Sequence, residues 1–349
     1  MTTEIVKIES LDESARVDLA RAAEIIKTGG LVVFPTETVY GLGGDATNPE
    51  AAGKIYAAKG RPSDNPLIIH VSTPDEAEKY AHTTELYYKL AERFMPGPLT
   101  VVLKAKSTVP TNTRGGLDTV AVRCPENPIA RELIRLAGVP IAAPSANLSG
   151  SPSPTTARHV LEDMNGRVDM IIDGGESDFG LESTIIKLDD GITLLRPGKI
   201  TLSELEECIG DVSVSHAVTE ALAPGERVLS PGMKYRHYAP KAEVLLIDGS
   251  ALAACEYIRA EGDYENATII AYTEDVPLFK GKFPNASIVD FGSSGDRLEQ
   301  AHRLFSLLRD VDSKGTLKVY APLPGQDGIG LALYNRMIRA AAYNIVKLN

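Results

Sequence analysis

Short apolar runs and amphipathic helical segments alternate along most of this chain. Residues 12–27 carry apolar side chains at helical spacing, and the apolar run 31–34 follows them and ends at Pro35. The same order recurs further on, with helical patterns over 84–94 and 128–137 and apolar runs over 99–103 and 139–143. This alternation is typical of an α/β fold, in which a largely parallel sheet carries helices on both sides.

The length of 349 residues suggests two domains. Periodicity is lost between residues 220 and 240, and a second alternation of strands and helices begins after them. We therefore expect a first domain over 1–215, a linker over 216–242 and a smaller, doubly wound, Rossmann-like α/β domain over 243–349. The second domain lacks a GxGxxG motif, and no titratable cluster in it suggests chemistry.

Charge and motif content exclude several classes of protein. A net charge of -11 disfavours non-specific binding of nucleic acid by the whole surface. The cysteines are scattered without a zinc motif, and the Walker A, HExxH and GxSxG motifs are missing. The first residues do not resemble a signal peptide and no apolar run reaches about 18 residues, so we expect a cytoplasmic protein without a membrane partner.

Two cations lie on a stiff loop that follows a predicted helix. Asn48 and Pro49 are start signals for this helix and Gly60 is a stop signal, so Lys59 and Arg61 fall at the helix exit. Prolines then keep the loop out of regular structure. Such a loop suits a polyanion, although a charged surface turn is the alternative that these residues alone leave open.

Hydroxyl-rich loops follow two other apolar runs. Thr36 and Thr38 precede a glycine-rich stretch that ends at Gly44, and their hydroxyls would share a side in an extended chain. The loop 144–154 combines hydroxyls, an amide and three prolines. Polar loops at the ends of buried strands are where α/β sheets bind ligands. An ordinary turn for the first loop and a flexible linker for the second are the alternatives.

Further candidates lie at strand ends and in the linker. Arg123 and Arg196 each close a predicted strand, and we expect them to converge with the two loop cations. His70 also ends a strand, where a lone histidine is more often packed than a base. The stretch 233–240 interleaves aromatic and basic residues, which suits either nucleotide binding or packing of the linker onto a domain. Together these groups predict a polyphosphate site that works by positioning and electrostatics.

Five ordered motifs span nearly the whole chain: FPTETVYGL at 34–42, KGRP at 59–62, PLIIH at 66–70, PSAN at 144–147 and SPGMKYRHYAP at 230–240. Each motif alone is weak, but together they resemble the YrdC-type threonylcarbamoyl-AMP synthases, in the long form with an extra C-terminal domain. For the first domain the resemblance implies a twisted, largely parallel YrdC-like sheet with a concave basic face.

The resemblance also implies a reaction. L-threonine, bicarbonate and ATP would give threonylcarbamoyl-AMP and pyrophosphate, with Mg²⁺ as the cofactor. A downstream threonylcarbamoyl-transferase complex would then modify the adenosine next to the tRNA anticodon, so contact of this chain with tRNA would be indirect.

Residue roles follow from the same motifs. Lys59 and Arg61 are the implied catalytic residues and bind the ATP phosphates, whereas Ser145 and Asn147 hold phosphate and Mg²⁺. Further residues implied near the nucleotide are Asn65, Thr119, Ser153 and Arg196, with Tyr235, Arg236 and His237 on a linker that closes as a lid. Those implied near threonine are Thr36, Thr38, His70, Arg123, the backbone at Ala143, and Ser183.

Two alternatives come from other functional classes. A non-catalytic tRNA-binding or double-stranded-RNA-binding factor would use the concave basic face, and its affinity would fall steeply with salt. A carbamoyl-adenylate-forming enzyme of hydrogenase maturation would carry zinc-finger cysteines. The three scattered cysteines of this chain argue against the second alternative.

Overall fold

The computed structural model describes residues 2–189, 191–222, 226 and 238–348. They divide into two compact units, one within Met1–Ser149 and Ser153–Lys234 and the other within Gly150–Pro152 and Tyr235–Asn349. Residues 223–225 and 227–237 of the expected linker lie outside the described residues, so the domain boundaries stay a prediction. No helix among the described residues is both long and apolar enough to cross a membrane.

The first unit is built on one mixed sheet. Its strands are β1 (Glu4–Lys7), β2 (Val32–Phe34), β3 (Gly41–Asp45), β4 (Ile68–His70), β5 (Leu99–Lys104), β6 (Thr119–Arg123), β7 (Ile141–Ala142), β8 (Met170–Asp173), β9 (Thr184–Leu188), β10 (Ile192–Arg196) and β11 (Ser213–Val214). They lie in the order β1-β8-β2-β3-β7-β4-β6-β5-β9-β10-β11. Parallel pairs such as β4–β6 and β5–β9 alternate with antiparallel pairs such as β5–β6.

Helices cover this sheet and begin and end at local sequence signals. They are α1 (Glu13–Lys27), α2 (Pro49–Lys59), α3 (Glu85–Phe94), α4 (Pro128–Ala137), α5 (Ala157–Met164) and α6 (Leu202–Ile209), with short 3-10 helices at Pro74–Lys79 and His216–Val218. For α2, the Asn48 side chain accepts from the Glu50 amide, and Gly60 ends the helix in the left-handed conformation at φ 62°. The predicted helix before the two loop cations is therefore confirmed.

Strand β3 was not predicted, because the sequence analysis assigned its glycines to a loop. A Cβ at Gly43 would lie 2.7 Å from both Phe34 Cε1 and Ile141 Cγ2. The glycines therefore let side chains of neighbouring strands pack directly over the backbone of β3. This packing occurs beside a core in which α1 and α4 lie against β1, β2 and β8.

The second unit contains a parallel sheet in the order β14-β13-β15-β12-β16. Its strands are β12 (Glu243–Asp248), β13 (Ala267–Ala271), β14 (Ser287–Asp290), β15 (Lys318–Pro322) and β16 (Ile345–Lys347). Its helices are α7 (Ala251–Glu261), α8 (Val276–Phe279), α9 (Arg297–Ser313) and α10 (Gly330–Ala340). The predicted α/β class, with a second Rossmann-like sheet, is confirmed.

Two glycines of the first unit give opposite expectations for stability. A Cβ at Gly198 would lie 2.5 Å from the Thr184 amide nitrogen, whereas a Cβ at Gly53, in the exposed interior of α2, would meet nothing within 4 Å. Gly198→Ala should lower the free energy of unfolding in urea by about 1–3 kcal/mol, because backbone atoms cannot move aside. The control Gly53→Ala should raise it by about 0.5–1 kcal/mol. Unchanged stability of Gly198→Ala would show that the backbone at the start of β9 can move to accommodate the added methyl group.

Candidate active site

Lys59 links the end of α2 to the loop that follows β7. Its side chain is buried, and its Nζ donates to the backbone carbonyls of Ser145 and Asn147. The Ser149 amide donates in return to the Lys59 carbonyl at 2.9 Å. These backbone carbonyls fix the position of the ammonium group.

Arg61 is buried in the same loop. Its Nη2 donates to the Pro66 carbonyl at 3.1 Å, and its Nε lies 3.4 Å from the Asn65 carbonyl. The side chain of Asn65 is also buried, and its Oδ1 has no hydrogen-bond partner in the described structure. An unpaired buried oxygen is costly, so this amide is a natural contact for a ligand.

The loop after β7 presents the hydroxyl of Ser145 and the amide of Asn147. The Ser145 hydroxyl donates to Asn147 Oδ1, and Lys59 Nζ lies 3.5 Å from the same oxygen. Further along, the Ser153 hydroxyl donates to the buried carboxylate of Glu182. The sequence analysis missed Glu182.

These residues also bear on the implied Mg²⁺. A hydroxyl and an amide oxygen are the oxygen ligands that Mg²⁺ accepts, although Asn147 Oδ1 already has two donors. Among the described residues, no group of three or more His, Cys, Asp and Glu side chains could hold a metal ion. A hydroxyl and an amide oxygen suit a Mg²⁺ ion whose other ligands are nucleotide phosphates and water.

Thr36 and Thr38 lie together, with their hydroxyl oxygens 2.8 Å apart. The sequence analysis expected this from an extended chain, but the cause is a turn. Thr36 Oγ1 accepts from the Thr38 and Val39 amides at 3.2 Å and donates to the Val39 carbonyl. Both side chains are buried.

Arg123 forms a buried ion pair with Glu37, a residue that the sequence analysis did not single out. Arg123 Nη2 lies 2.6 Å from Glu37 Oε1, and each side chain is 5% exposed. The Glu126 amide donates to the other carboxylate oxygen at 3.2 Å. Arg123 Nε has no hydrogen-bond partner within the described part of the chain. The ion pair therefore leaves the Nε–H of Arg123 available to a ligand.

His70 lies directly beside Arg123 in the parallel register of β4 and β6. Burial, together with the charge of Arg123, lowers the pKa of His70 to about 3. Its imidazole is therefore neutral at physiological pH, and its Nδ1 is buried without a partner among the described residues. A neutral ring can donate or accept a hydrogen bond but adds no charge.

Ser183 and Arg196 meet at the same end of the sheet. Arg196 Nε donates to the Ser183 carbonyl at 3.0 Å, and its Nη2 donates to the Ser183 hydroxyl at 3.2 Å. Ser183 Oγ lies 2.7 Å from Thr100 Oγ1, and Thr100 is the cross-strand neighbour of Arg123. Ser183, implied near threonine, thus contacts Arg196, implied near the nucleotide.

The register of β4 and β6 separates the candidates into two groups. Asn65 precedes β4 and Thr119 begins β6, whereas His70 and Arg123 end the same two strands. Four residues of β6 correspond to about 13 Å at 3.3 Å per residue. The expected convergence of strand-end cations with the loop cations is therefore replaced by two polar groups at opposite strand ends. We call them the amino-end group and the carboxyl-end group.

The amino-end group contains the loop cations Lys59 and Arg61 together with Asn65 and Thr119. The carboxyl-end group contains His70, Arg123, Thr100, Ser183 and Arg196. Ala143, implied near threonine, donates its amide to the Ile68 carbonyl and so lies toward the amino end. Tyr235, Arg236 and His237 lie outside the described residues.

An apolar floor connects the two groups. Ile68, Ala121 and Val102 are direct cross-strand neighbours, and they form one buried cluster with Ile185 and Leu195. Side chains two residues apart on a strand share a face, so the floor faces the same way as His70, Arg123 and Thr119. The face therefore has a dry centre and two polar ends.

The buried ion pair leads to a prediction about stability. Glu37→Ala should lower the free energy of unfolding by about 3–5 kcal/mol, because it leaves the Arg123 charge buried without its partner. The double variant Glu37→Met, Arg123→Met should recover much of that loss. Glu9→Ala, which breaks an exposed pair with Lys7, is the control and should change nothing measurable. A Glu37→Ala protein as stable as the control would show that the pair is not needed to compensate the buried charge.

His70 predicts a dependence of stability on pH. Its pKa is about 3 when folded and near 6.5 when unfolded, so between these values only the unfolded state binds the proton. Stability should therefore fall as pH decreases from 6.5 toward 3, on the order of 1 kcal/mol per pH unit from this residue. Unfolding measured across this range should show a shallower slope in His70→Asn. Equal slopes would mean that His70 titrates normally.

Comparisons with known proteins agree with this architecture. The family model described as Telomere recombination matches residues 24–198, and the model described as Threonylcarbamoyl-AMP synthase, C-terminal domain, matches residues 200–342. The threonylcarbamoyl-AMP synthase of Pyrococcus abyssi is 42% identical and covers 99% of this chain and 100% of its own length. That of Bacillus subtilis is 40% identical, with 97% and 98% covered.

Solved structures give the same result. The crystal structure of Pyrococcus abyssi Sua5 complexed with L-threonine matches with a TM-score of 0.90 and 41% identity, covering 99% of this chain and 100% of that one. Since the first family model matches half of the chain and full-length relatives are at least 40% identical, this chain belongs to the YrdC-type threonylcarbamoyl-AMP synthases, in the form with a C-terminal domain.

Proposed function

We propose that the two-ended face of the first unit is where this chain makes threonylcarbamoyl-AMP. The family performs this synthesis from threonine as the first step toward threonylcarbamoyladenosine in tRNA, so the chain is an adenylyl-transferring enzyme. The observation that supports the assignment to this face is its pair of polar groups about 13 Å apart across an apolar floor. A nucleotide triphosphate and a small amino acid are two polar substrates that need such separate contacts.

Threonine is assigned to the carboxyl-end group. Arg123 would bind the threonine carboxylate, for which its Nε is available. The neutral imidazole of His70 and the hydroxyl of Ser183 would complete the polar contacts, and Thr36, Thr38 and the backbone at Ala143 would border the amino acid. The threonine bound in the Pyrococcus abyssi structure supports this choice of substrate.

ATP is assigned to the amino-end group. Lys59 and Arg61 would bind the phosphates, because both cations are buried in one loop region and backbone carbonyls fix their positions there. Asn65 and Thr119 would contact the nucleotide, as would Ser145, Asn147 and Ser153 and, from the carboxyl-end group, Arg196. Mg²⁺ bound with the phosphates near Ser145 and Asn147 would supply further positive charge. The roles of Tyr235, Arg236 and His237 as a lid stay a prediction.

The reaction follows from this placement. The threonine amine would combine with bicarbonate to give a carbamate and water, and a carbamate oxygen would then attack the α-phosphorus of ATP. The bond to the β-phosphate oxygen breaks and pyrophosphate leaves with the negative charge, which Lys59 and Arg61 stabilise. Carbamates are labile in water, so the buried floor would protect the intermediate.

The product is a reactive mixed anhydride. We propose that a downstream threonylcarbamoyl-transferase complex receives it, that tRNA need not bind this chain directly, and that the step takes place in the cytoplasm together with other tRNA modification.

Substitution of Lys59 or Arg61 tests the assignment of ATP to the amino-end group. Lys59→Ala and Arg61→Ala should each lower the rate of pyrophosphate release at least about 100-fold, the scale for one preorganised electrostatic group. Lys54→Ala is the matched control, because Lys54 lies on the same helix and donates to the Gly29 carbonyl away from this loop. Its rate should stay within about twofold of the unchanged protein.

Release should also require both threonine and bicarbonate, with threonine preferred over serine. Unchanged rates in both cation variants would remove Lys59 and Arg61 from the site. Release that needs neither co-substrate would indicate a plain ATP pyrophosphatase instead.

A further inference from the structure

The parallel sheet of the second unit has a topological switch point between β13 and β15. The two strands are neighbours, but the chain leaves β13 toward β14 on one edge and leaves β15 toward β16 near the other edge. Where connections diverge in this way, a crevice opens at the carboxyl ends of the strands, and ligands of α/β sheets commonly bind there.

A cavity lies at this point. Its atom-free space, which includes the open mouth, is about 410 Å³. Its walls come from the carboxyl halves of β12, β13 and β15 and from α7 and α8. Most of the lining is aliphatic or aromatic and includes Ile247, Ala254, Ile258, Ile269, Phe279 and Tyr320.

Asp275 is the one charged residue among those that line this cavity. It stands at the N-cap position of α8, yet its side chain caps no helix amide. Its half-buried carboxylate has no hydrogen-bond or ion-pair partner in the described structure. Burial raises the pKa of this carboxyl, and the like charge of Glu274 adds to the effect, with no cation acting in the opposite direction.

Charge therefore determines which ligand fits. The charge of Arg297 acts on Tyr272, a lining residue, but Arg297 does not itself line the cavity. An anionic ligand would meet Asp275 and its neighbour Glu274, whereas a cation would neutralise an unpaired carboxylate. The apolar walls require that the rest of the ligand be aliphatic.

We propose that this cavity binds a small aliphatic amine, with its alkyl part between α7 and α8 and its ammonium group paired with Asp275. The site is separate from the synthase face and does not depend on the function proposed for it. It would give the second unit a ligand of its own.

The test uses the full-length protein with ¹³C-labelled isoleucine methyl groups and 3-methylbutylamine as the probe. The amine should shift the methyl signals of Ile247, Ile258 and Ile269 in a saturable way and leave those of Ile185 and Ile186 in the first unit unchanged. The neutral isostere 3-methylbutan-1-ol should bind at least about tenfold more weakly, because it cannot pair with the carboxylate.

Substitutions test whether the Asp275 carboxylate and the cavity itself are each needed to bind the amine. Asp275→Asn should weaken amine binding about tenfold, whereas Glu274→Gln, a neighbour outside the cavity that accepts from Ser294, should leave it nearly unchanged. Ala254→Phe should fill the cavity and abolish the shifts. The proposal is overturned if the amine shifts none of the three signals, if the alcohol binds equally well, or if Asp275→Asn binds like the unchanged protein.

Discussion

The parallel pairing of β4 with β6 is the constraint on which the synthase face depends. β4 has only three residues, all buried, and the register joins His70 to Arg123 and Ile68 to Ala121. A slip of β4 by one residue would turn His70 to the opposite face, away from Arg123, and bring Ile69 onto the floor. Since β4 lies between β6 and β7, its short length is compensated by pairing on both edges. The separation of the two polar groups is thus set by backbone geometry and not by flexible loops.

The buried cations of this face are held in two different ways. Lys59, Arg61 and Arg196 donate to backbone carbonyls, which position a cation through their dipoles but add no opposite charge. Arg123 instead pairs with the carboxylate of Glu37. In the proposed assignment, Lys59 and Arg61 would face the several negative charges of a triphosphate. The single carboxylate of threonine would meet Arg123, whose charge Glu37 already compensates and whose Nε is available as a donor.

Much of the fold could be predicted because its signals are local. Asn48, Pro49 and Gly60 fix the bounds of α2 from sequence alone. The apolar spacing over 12–27 predicted α1 but not its buried face: Val17 is 59% exposed, because packing against α4 selects Leu19, Ala22 and Ala23 instead. The pairing of Glu37 with Arg123 spans 86 residues and has no local signal. Motifs therefore identified which segments form the site, whereas its partition into two groups required the register.

The apolar floor strengthens the electrostatic action of the two polar groups. Ile68, Ala121 and Val102 form a buried apolar surface between the two polar groups, which is where the carbamate and the α-phosphorus would meet in the proposed assignment. In a medium of low dielectric constant a fixed cation acts more strongly on the charge that moves to the leaving pyrophosphate. The same dryness keeps His70 neutral, so this imidazole adds no positive charge to a group that already contains Arg123 and Arg196. Burial thus both strengthens the electrostatics of the site and fixes the protonation state of His70.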